Sequence, residues 1–391
     1  MKDLLKKEQE FLLQTYKRIP IEISYGEGVY LFTKDGKKYL DFFSGLAVNA
    51  LGYRNPKLIN AIKKQIKKYI HLSNYYLNEP QIELAAKLVK YSGLSKVFFS
   101  NSGTEAIEAS IKLIRKHFGP DKKMISFSNA FHGRTYGSLS LGGKEKYKKN
   151  FSPLLKNIVQ LDFNDVSQID KNINENSAAV YIEFIQGEGG IRIATQQFVK
   201  KLIQLKNKYG FALVADEVQS GIGRTGKPFA FNFFNVEPDL IIVAKAIGGG
   251  LPLGALITNK KFSNVFQVGD HGSTFGGNPV ACAAGLVVMS EIFETGLINR
   301  VETLGNYFIS KLNIIQERYS DIVKEVRGFG LMIGVELKSD CSNIVKSFRD
   351  NGILVNCTSE NVIRILPPLI STKENIDNFL KIFVEILKMS K

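Results

Sequence analysis

The chain has 391 residues, 44% of them hydrophobic and 23% charged, an ordinary soluble globular composition in a length that favours two domains over a single core. Its three cysteines, Cys282, Cys341 and Cys357, lie far apart with no paired spacing, which indicates neither a disulfide framework nor a zinc site and suits a reducing compartment, the cytoplasm. The formal charge of +15 sits on lysines along helical faces such as Ala61 to Ile70 (AIKKQIKKYI), a solvated-face pattern with no nucleic-acid-binding signature that still leaves an acidic partner open.

The first 18 residues carry charges throughout, with Leu4, Leu5, Phe11, Leu12 and Tyr16 between them, and predict an amphipathic helix rather than a signal peptide. No apolar stretch approaches the length of a membrane span. Gly28 to Gly45 predicts two short strands around an Asp35-Gly36 turn. The apolar, glycine-marked segment Ser44 to Gly52 leads to a helix from Pro56. Leu72 to Gln81 (LSNYYLNEPQ) then reads as a loop before a helix from Ile82 to Tyr91.

Val97 to Ser100 predicts a short strand that runs into NSGTEAIEASIKLIRK, where Ile107, Ile111 and Ile114 share one helical face. Ser102 and Glu105 stand in capping-box spacing and start that helix at about Gly103. A strand, a small-residue turn and a helix start present amides to an anion, although an ordinary capped helix has the same pattern. Met124 to Ser128 predicts another strand, ending in NAFHGRT. There Phe131 is placed to lie against an aromatic ring and Arg134 to grip a carboxylate. A strand from Ala178 to Ile185, the turn QGEGG and a helix from Gln196 to Tyr209 continue the alternation expected of a mostly parallel sheet.

Phe211 to Ala215 is an apolar strand that ends in Asp216. The glycines of the following GIGRTG satisfy a dinucleotide-binding spacing, but DEVQS separates them from the strand and no periodic helix follows. Leu240 to Ala244 is a second apolar, β-branched run, and it ends on Lys245. Two buried strands therefore each deliver an ionisable group at the carboxyl end, where open α/β sheets bind ligands. A structural ion pair would look the same. The chemical reading is a desolvated lysine that forms a Schiff base with a carbonyl cofactor while an aspartate keeps a pyridine nitrogen protonated, as pyridoxal phosphate requires.

Gly269 to Pro279 (GDHGSTFGGNP) offers hydroxyls and glycine backbone to a second anion. From about Met289 the pattern changes to a smaller α+β unit containing Glu325 to Leu337, Val362 to Leu369 and a final helix. Arg364 stands alone among apolar strand residues there and calls for a carboxylate partner, from protein or substrate.

In order and spacing, NSGTEA, FHGRT, IQGEGG, DEVQSGIGRTG, KAIGGGLPLGA, HGSTFGGNP and RGFGLMIGVE resemble the class III, ornithine-type aminotransferases over nearly the whole chain. SGLAVNALG and SNYYLNEPQ favour the acetylornithine branch of that family. The resemblance implies an α/β protein of PLP fold type I, with a large domain built on a mostly parallel sheet flanked by helices and a smaller α+β domain. Residues 1–50 and 290–391 would form the small domain and residues 51–289 the large one. It further implies pyridoxal 5'-phosphate as cofactor and no metal. Lys245 would be the covalent attachment point and proton shuttle, and Asp216 the partner of the ring nitrogen. Gly103 and Thr104 would hold the phosphate, with Thr274 reaching it from the second subunit of a homodimer. Phe131, Val218 and Gln219 would lie against the ring, and Ser102, His132 and Glu183 would also touch the cofactor.

For substrate, the resemblance implies Arg134, Arg364, Ser273 and a movable Glu188 that pairs with Arg364 when the ω-amino substrate is bound. The expected reaction moves the terminal amino group of N-acetylornithine to 2-oxoglutarate in arginine biosynthesis. Sibling substrates remain alternatives: succinylornithine, succinyldiaminopimelate, or an aminoadipate semialdehyde on an acidic carrier protein. A non-catalytic cofactor-binding regulator would be expected to add a DNA-binding domain, which the N-terminal hairpin segment does not resemble. An aminomutase or racemase fits two substrate arginines poorly. One departure is Phe184 after Glu183, where the family more often has proline, and it bears on the path toward Glu188.

Overall fold

The computed structural model describes residues 2–390. Its centre is a sheet of seven strands: β1 (Lys96–Ser100), β2 (Lys123–Phe127), β3 (Ile158–Leu161), β4 (Ser177–Ile182), β5 (Ala212–Asp216), β6 (Leu240–Val243) and β7 (Gly254–Thr258). They lie in the order β1-β7-β6-β5-β4-β2-β3. Every pair from β6 to β3 is parallel, and β7 alone runs antiparallel to its neighbours.

Strands β4 to β7 are buried along their whole length, the condition of a sheet covered on both faces. The two-residue period of a strand sorts its side chains between two apolar clusters. Val214 joins Ile107, Ile111 and Ile114 of the helix Gly103–Phe118, while Leu213 and Ala215 join Phe198 and Leu202 of the helix Gln196–Tyr209. The expected α/β architecture is present.

The hairpin Tyr30–Thr33 and Lys38–Asp41 turns at Asp35-Gly36, with Gly36 at φ 80. It is extended on one side by the strand Ile23–Glu27, which the sequence reading missed because its residues are mostly polar and exposed. On the other side Ile353–Leu354 pairs with Lys38–Asp41, joining the two ends of the chain. A second sheet, Val323–Phe329, Met332–Leu337, Val362–Ile365 and Asn356–Thr358, is antiparallel throughout. Among the described residues no single helix is long and apolar enough to cross a membrane.

Several expectations are corrected. The helix placed at Ile82 starts at Glu79, with Pro80 in its first turn, where a missing N–H costs nothing. The strand expected to run to Ile185 stops at Ile182, and Ile185–Gln186 pairs instead with Arg192–Ile193. Cys341 and Cys357 form a disulfide with a Cα separation of 5.8 Å, against the expectation of no disulfide. The helix Ser342–Asp350 follows Cys341, and the chain doubles back to the strand Asn356–Thr358, so sixteen residues of separation close to bonding distance.

Between the hairpin and the helix Pro56–Ile66, Ser44, Gly45, Leu46 and Ala47 all have positive φ. Left-handed backbone costs about 1–2 kcal/mol per non-glycine residue. The turn is held by the Asp41 carboxylate, which accepts from the amides of Phe43 and Ser44 at 3.0 Å each, and by Ser44 Oγ, which donates to the Leu366 carbonyl at 2.6 Å. It carries Val48 to the wall of the cavity described next.

Candidate active site

Strand β6 ends at Val243, and Lys245 follows in the left-handed region at φ 52, opening a short 3-10 turn to Gly248. The side chain enters a cavity of about 480 Å³ that Glu183, Glu188 and Asp216 also line. Burial, and then the Arg364 cation, lower the Lys245 amine from an ordinary 10.5 to about 8, against the opposing pull of Glu188, Asp216 and Glu183. The neutral amine is thus far more populated near pH 7 than an ordinary lysine's, although the protonated form still predominates there.

Asp216 ends β5 and is almost completely buried. One carboxylate oxygen accepts from the Val218 amide at 3.1 Å, and the other meets His132 Nδ1 at 2.7 Å. His132 is buried too, and its Nε2 has no partner. Glu183, just beyond β4, accepts from the Phe131 amide at 3.3 Å; burial and then the neighbouring Asp216 push its carboxyl well above the usual range. Three adjacent parallel strands therefore end in ionisable groups at one edge of the cavity.

At the other end lies the start of the helix Gly103–Phe118. Ser102 Oγ accepts from the Glu105 amide at 3.3 Å, whereas Glu105 turns to the Asn101 amide at 2.7 Å, so only half of the expected capping box forms. Gly103 and Thr104 line the cavity. A Cβ on Gly103 would come within 2.9 Å of Val218 Cγ2, which is why a glycine stands there. Thr104 Oγ1 is held by Ser138 Oγ at 2.6 Å and Thr135 Oγ1 at 2.8 Å.

This donor set fits pyridoxal phosphate. A helix start suits the phosphate, a buried carboxylate suits the protonated ring nitrogen, and an amine of lowered basicity suits the aldehyde carbon.

Arg364 is 1% exposed, and it has the carboxylate partner its burial demands. Its Nη1 donates to Glu188 Oε1 at 2.6 Å and to Gln219 Oε1 at 3.3 Å, while Nε donates to Asn356 Oδ1 at 3.1 Å. Burial works against the Glu188 charge, but Arg364 outweighs it, so the carboxyl sits below its ordinary value. The loop that carries Glu188 is fixed from the small sheet: Arg327 Nη2 donates to the Gly190 carbonyl at 2.6 Å and is itself paired with Glu336.

Phe184 anchors the start of this segment. It is fully buried, its ring lies 5.3 Å from that of Phe234 and 6.5 Å from that of Phe231, and its carbonyl accepts from the Ala194 amide. Phe184→Ala is expected to destabilise the protein by about 3–5 kcal/mol through the cavity it leaves, measured as a lowered denaturant midpoint at unchanged slope; a change below about 1 kcal/mol would show that the ring packs loosely.

The guanidinium of Arg134 sits 3.8 Å from the ring centroid of Tyr147, and Phe131 meets the same ring edge-on at 6.1 Å. The cavity gathers Ser102, Gly103, Thr104, Phe131, His132, Arg134, Glu183, Glu188, Asp216, Val218, Gln219 and Lys245. Arg364 stands behind Glu188. Ser273 and Thr274 are not brought to this cavity within one chain; they line a separate hollow of about 980 Å³. Ser273 Oγ still reaches the site's edge, accepting from Asn101 Nδ2 at 3.3 Å. The sequence reading missed Asn101, Val48 and Tyr147, and also Lys144, whose Nζ donates to the backbone carbonyl of Glu188. Asn101 and Val48 lie inside the segments NSGTEA and SGLAVNALG but read there only as a turn and an apolar stretch, and Tyr147 and Lys144 lie outside every one of the motifs.

A family model described as aminotransferase class-III matches residues 12–387. A protein of Aquifex aeolicus named acetylornithine aminotransferase is 46% identical over 382 residues, covering 96% of this chain and 100% of that protein. One of the same name from Methanocaldococcus jannaschii is 45% identical, covering 97% of this chain and 98% of its own length. Among solved structures, the ornithine aminotransferase of Toxoplasma gondii superposes with a TM-score of 0.95 at 28% identity, covering 100% of this chain and 95% of that one. The acetylornithine aminotransferase of Elizabethkingia anophelis does so with a TM-score of 0.89 at 32% identity, with 99% of each chain covered.

Proposed function

Because this chain belongs to the class-III aminotransferases, enzymes that use pyridoxal 5'-phosphate, we propose that it transfers the terminal amino group of N-acetylornithine to 2-oxoglutarate. The products are N-acetylglutamate 5-semialdehyde and glutamate, the former a step toward arginine. The ion pair between Glu188 and the buried Arg364, beside Lys245, carries this reading. One cavity must accept two substrates in turn. The amino donor brings no carboxylate next to its reacting carbon, so Arg364 stays paired with Glu188. The keto acid brings one, and Arg364 takes it in place of Glu188. Arg134, held on Tyr147, binds the carboxylate at the far end of either molecule.

Pyridoxal phosphate, when bound, supplies the carbonyl carbon that receives the amine and a ring that accepts electron density. Lys245 then moves a proton to and from the substrate carbon. Asp216, fixed by the Val218 amide and His132, keeps the ring nitrogen protonated. Ser102, Gly103 and Thr104 hold the phosphate, Phe131, Val218 and Gln219 orient the ring, and Glu183 lies close by.

The assembly proposed is a homodimer. Tyr75 lines the hollow that contains Ser273 and Thr274 and is 96% exposed, and Leu77 and Phe275, two residues from Tyr75 and next to Thr274 in sequence, are 89% and 58% exposed, apolar and aromatic surface that a second subunit would cover. Thr274 would reach the partner's phosphate site, and Ser273 its substrate. The cytoplasm is the proposed location, where both keto acid and glutamate are made; the Cys341–Cys357 disulfide is the feature that weighs against it.

The test is glutamate formation from 2-oxoglutarate with acetylornithine, succinylornithine, ornithine and 4-aminobutyrate compared side by side. Acetylornithine is expected to give the highest kcat/KM. Equal values for all four would overturn the assignment, and a succinylornithine maximum would move it to the sibling substrate.

A further inference from the structure

The pairing of Glu188 with Arg364 explains where the carboxylate rests when no keto acid is present, but not where it goes afterwards. Once a substrate carboxylate occupies Arg364, Glu188 is left in a mostly enclosed site. An unpaired buried carboxylate costs several kcal/mol, enough to cancel what the substrate gains from Arg364. A second cation has to be within reach.

Three are near. Lys245 is committed to the cofactor in the loaded enzyme. Arg134 lies on the face of Tyr147. Lys144 remains, and its placement is specific. Its Nζ donates to the backbone carbonyl of Glu188 itself and lies 3.5 Å from Ser359 Oγ. The same carbonyl accepts from Thr358 Oγ1 at 2.9 Å and from Ser359 Oγ at 3.0 Å. Three donors from two separate segments thus pin the Glu188 backbone. With the backbone pinned, any change of partner by the carboxylate falls to side-chain rotation, and an ammonium is already seated at the same residue's main chain.

We propose that Lys144 is the second seat of the Glu188 carboxylate, and so a residue that determines how well the site accepts a dicarboxylic keto acid. The inference rests on the reading of Glu188 as the movable group. Burial disfavours the Lys144 charge and Glu188 is the group that most restores it, so the approach of the carboxylate relieves both. Lys144 touches neither substrate nor cofactor; it acts through Glu188.

The experiment compares Lys144→Gln and Lys144→Arg with the parent enzyme in the two half-reactions, each followed by the visible absorbance of the bound cofactor, and measures glutarate binding to the holoenzyme by calorimetry. Lys144→Gln is expected to lower kcat/KM for 2-oxoglutarate by about tenfold, through KM, and to weaken glutarate by a similar factor, with the acetylornithine half-reaction within about twofold of the parent. Lys144→Arg is expected to retain most of the keto-acid reaction. In a Glu188→Gln background the Lys144→Gln change should have no further effect, because a neutral amide needs no cation.

Equal losses in both half-reactions, or failure of the arginine variant to rescue, would overturn the proposal in favour of a purely structural lysine. A Lys144→Gln effect that persists in the Glu188→Gln background would overturn it as well, while leaving the movable Glu188 intact. Unchanged substrate discrimination in Glu188→Gln alone would instead remove the reading on which it rests.

Discussion

Lys245→Ala is expected to abolish transamination, with a loss of at least about 10⁴-fold in turnover, in a protein that remains folded. Both residues carry a Cβ, so the left-handed backbone at φ 52 is no more strained in the variant. Removing an amine from an enclosed site also removes its desolvation cost. The fold therefore has no reason to fail, and the loss reads as chemistry. The lowered basicity of this amine makes a second, independent readout. Uptake of pyridoxal phosphate by protein stripped of cofactor requires neutral lysine. A lysine is charged below its pKa and neutral above it, so the uptake rate should rise with pH and level off above about 8, well short of the ordinary 10.5. Arg364→Leu takes away a cation that lowers the value and should move the midpoint up; Glu188→Gln takes away an anion that raises it and should move the midpoint down. A Lys245→Ala enzyme with more than a trace of turnover would sink the assignment. So would an uptake midpoint near 10.5.

Much of this site is legible in the sequence, for an identifiable reason. Asp216 and Lys245 follow continuous apolar runs whose only sensible place is a doubly covered sheet, so their location at strand ends was implied by burial alone. The helix start at Gly103 was visible through its cap, and Arg364 was marked by being a charge in an apolar strand. What stayed hidden depends on contacts distant in sequence. Lys144 meets Glu188 across 44 residues, and nothing in GGKEKY distinguishes it from a solvated lysine. The Cys341–Cys357 bond needs the chain to fold back after a helix, which spacing does not reveal. The left-handed turn at Ser44 to Ala47 contains one glycine, so three residues adopt a backbone that only tertiary contacts impose. Phe184 stands out in the sequence where a proline is expected, but its burial against Phe231 and Phe234 shows only in the fold.

Arg364→Leu should separate the two half-reactions most sharply. The guanidinium is 1% exposed and bonds Glu188, Gln219 and Asn356. Its loss removes the cation that binds the keto-acid carboxylate and leaves Glu188 facing the cavity. Breaking a buried pair by removing one partner costs about 3–5 kcal/mol, and a loss of that size in binding the keto-acid carboxylate corresponds to roughly 10²- to 4 × 10³-fold in kcat/KM for 2-oxoglutarate. The acetylornithine half-reaction should fall much less, because that substrate leaves Arg364 paired with Glu188 and makes no direct use of it. Stability carries the same signature with a defined sign. Glu188 has a folded-state pKa below its ordinary 4.5, so the pair stabilises the protein above about pH 4.5 and that contribution is lost as pH falls through the depressed value. The thermal midpoint of Arg364→Leu should therefore lie below that of the parent at neutral pH, and the difference should shrink on acidification. Adding Glu188→Gln removes the stranded charge; the double variant is expected to regain stability but not the keto-acid reaction. If the double variant regained 2-oxoglutarate turnover, Arg364 would be a structural partner of Glu188 and not the residue that receives the substrate carboxylate.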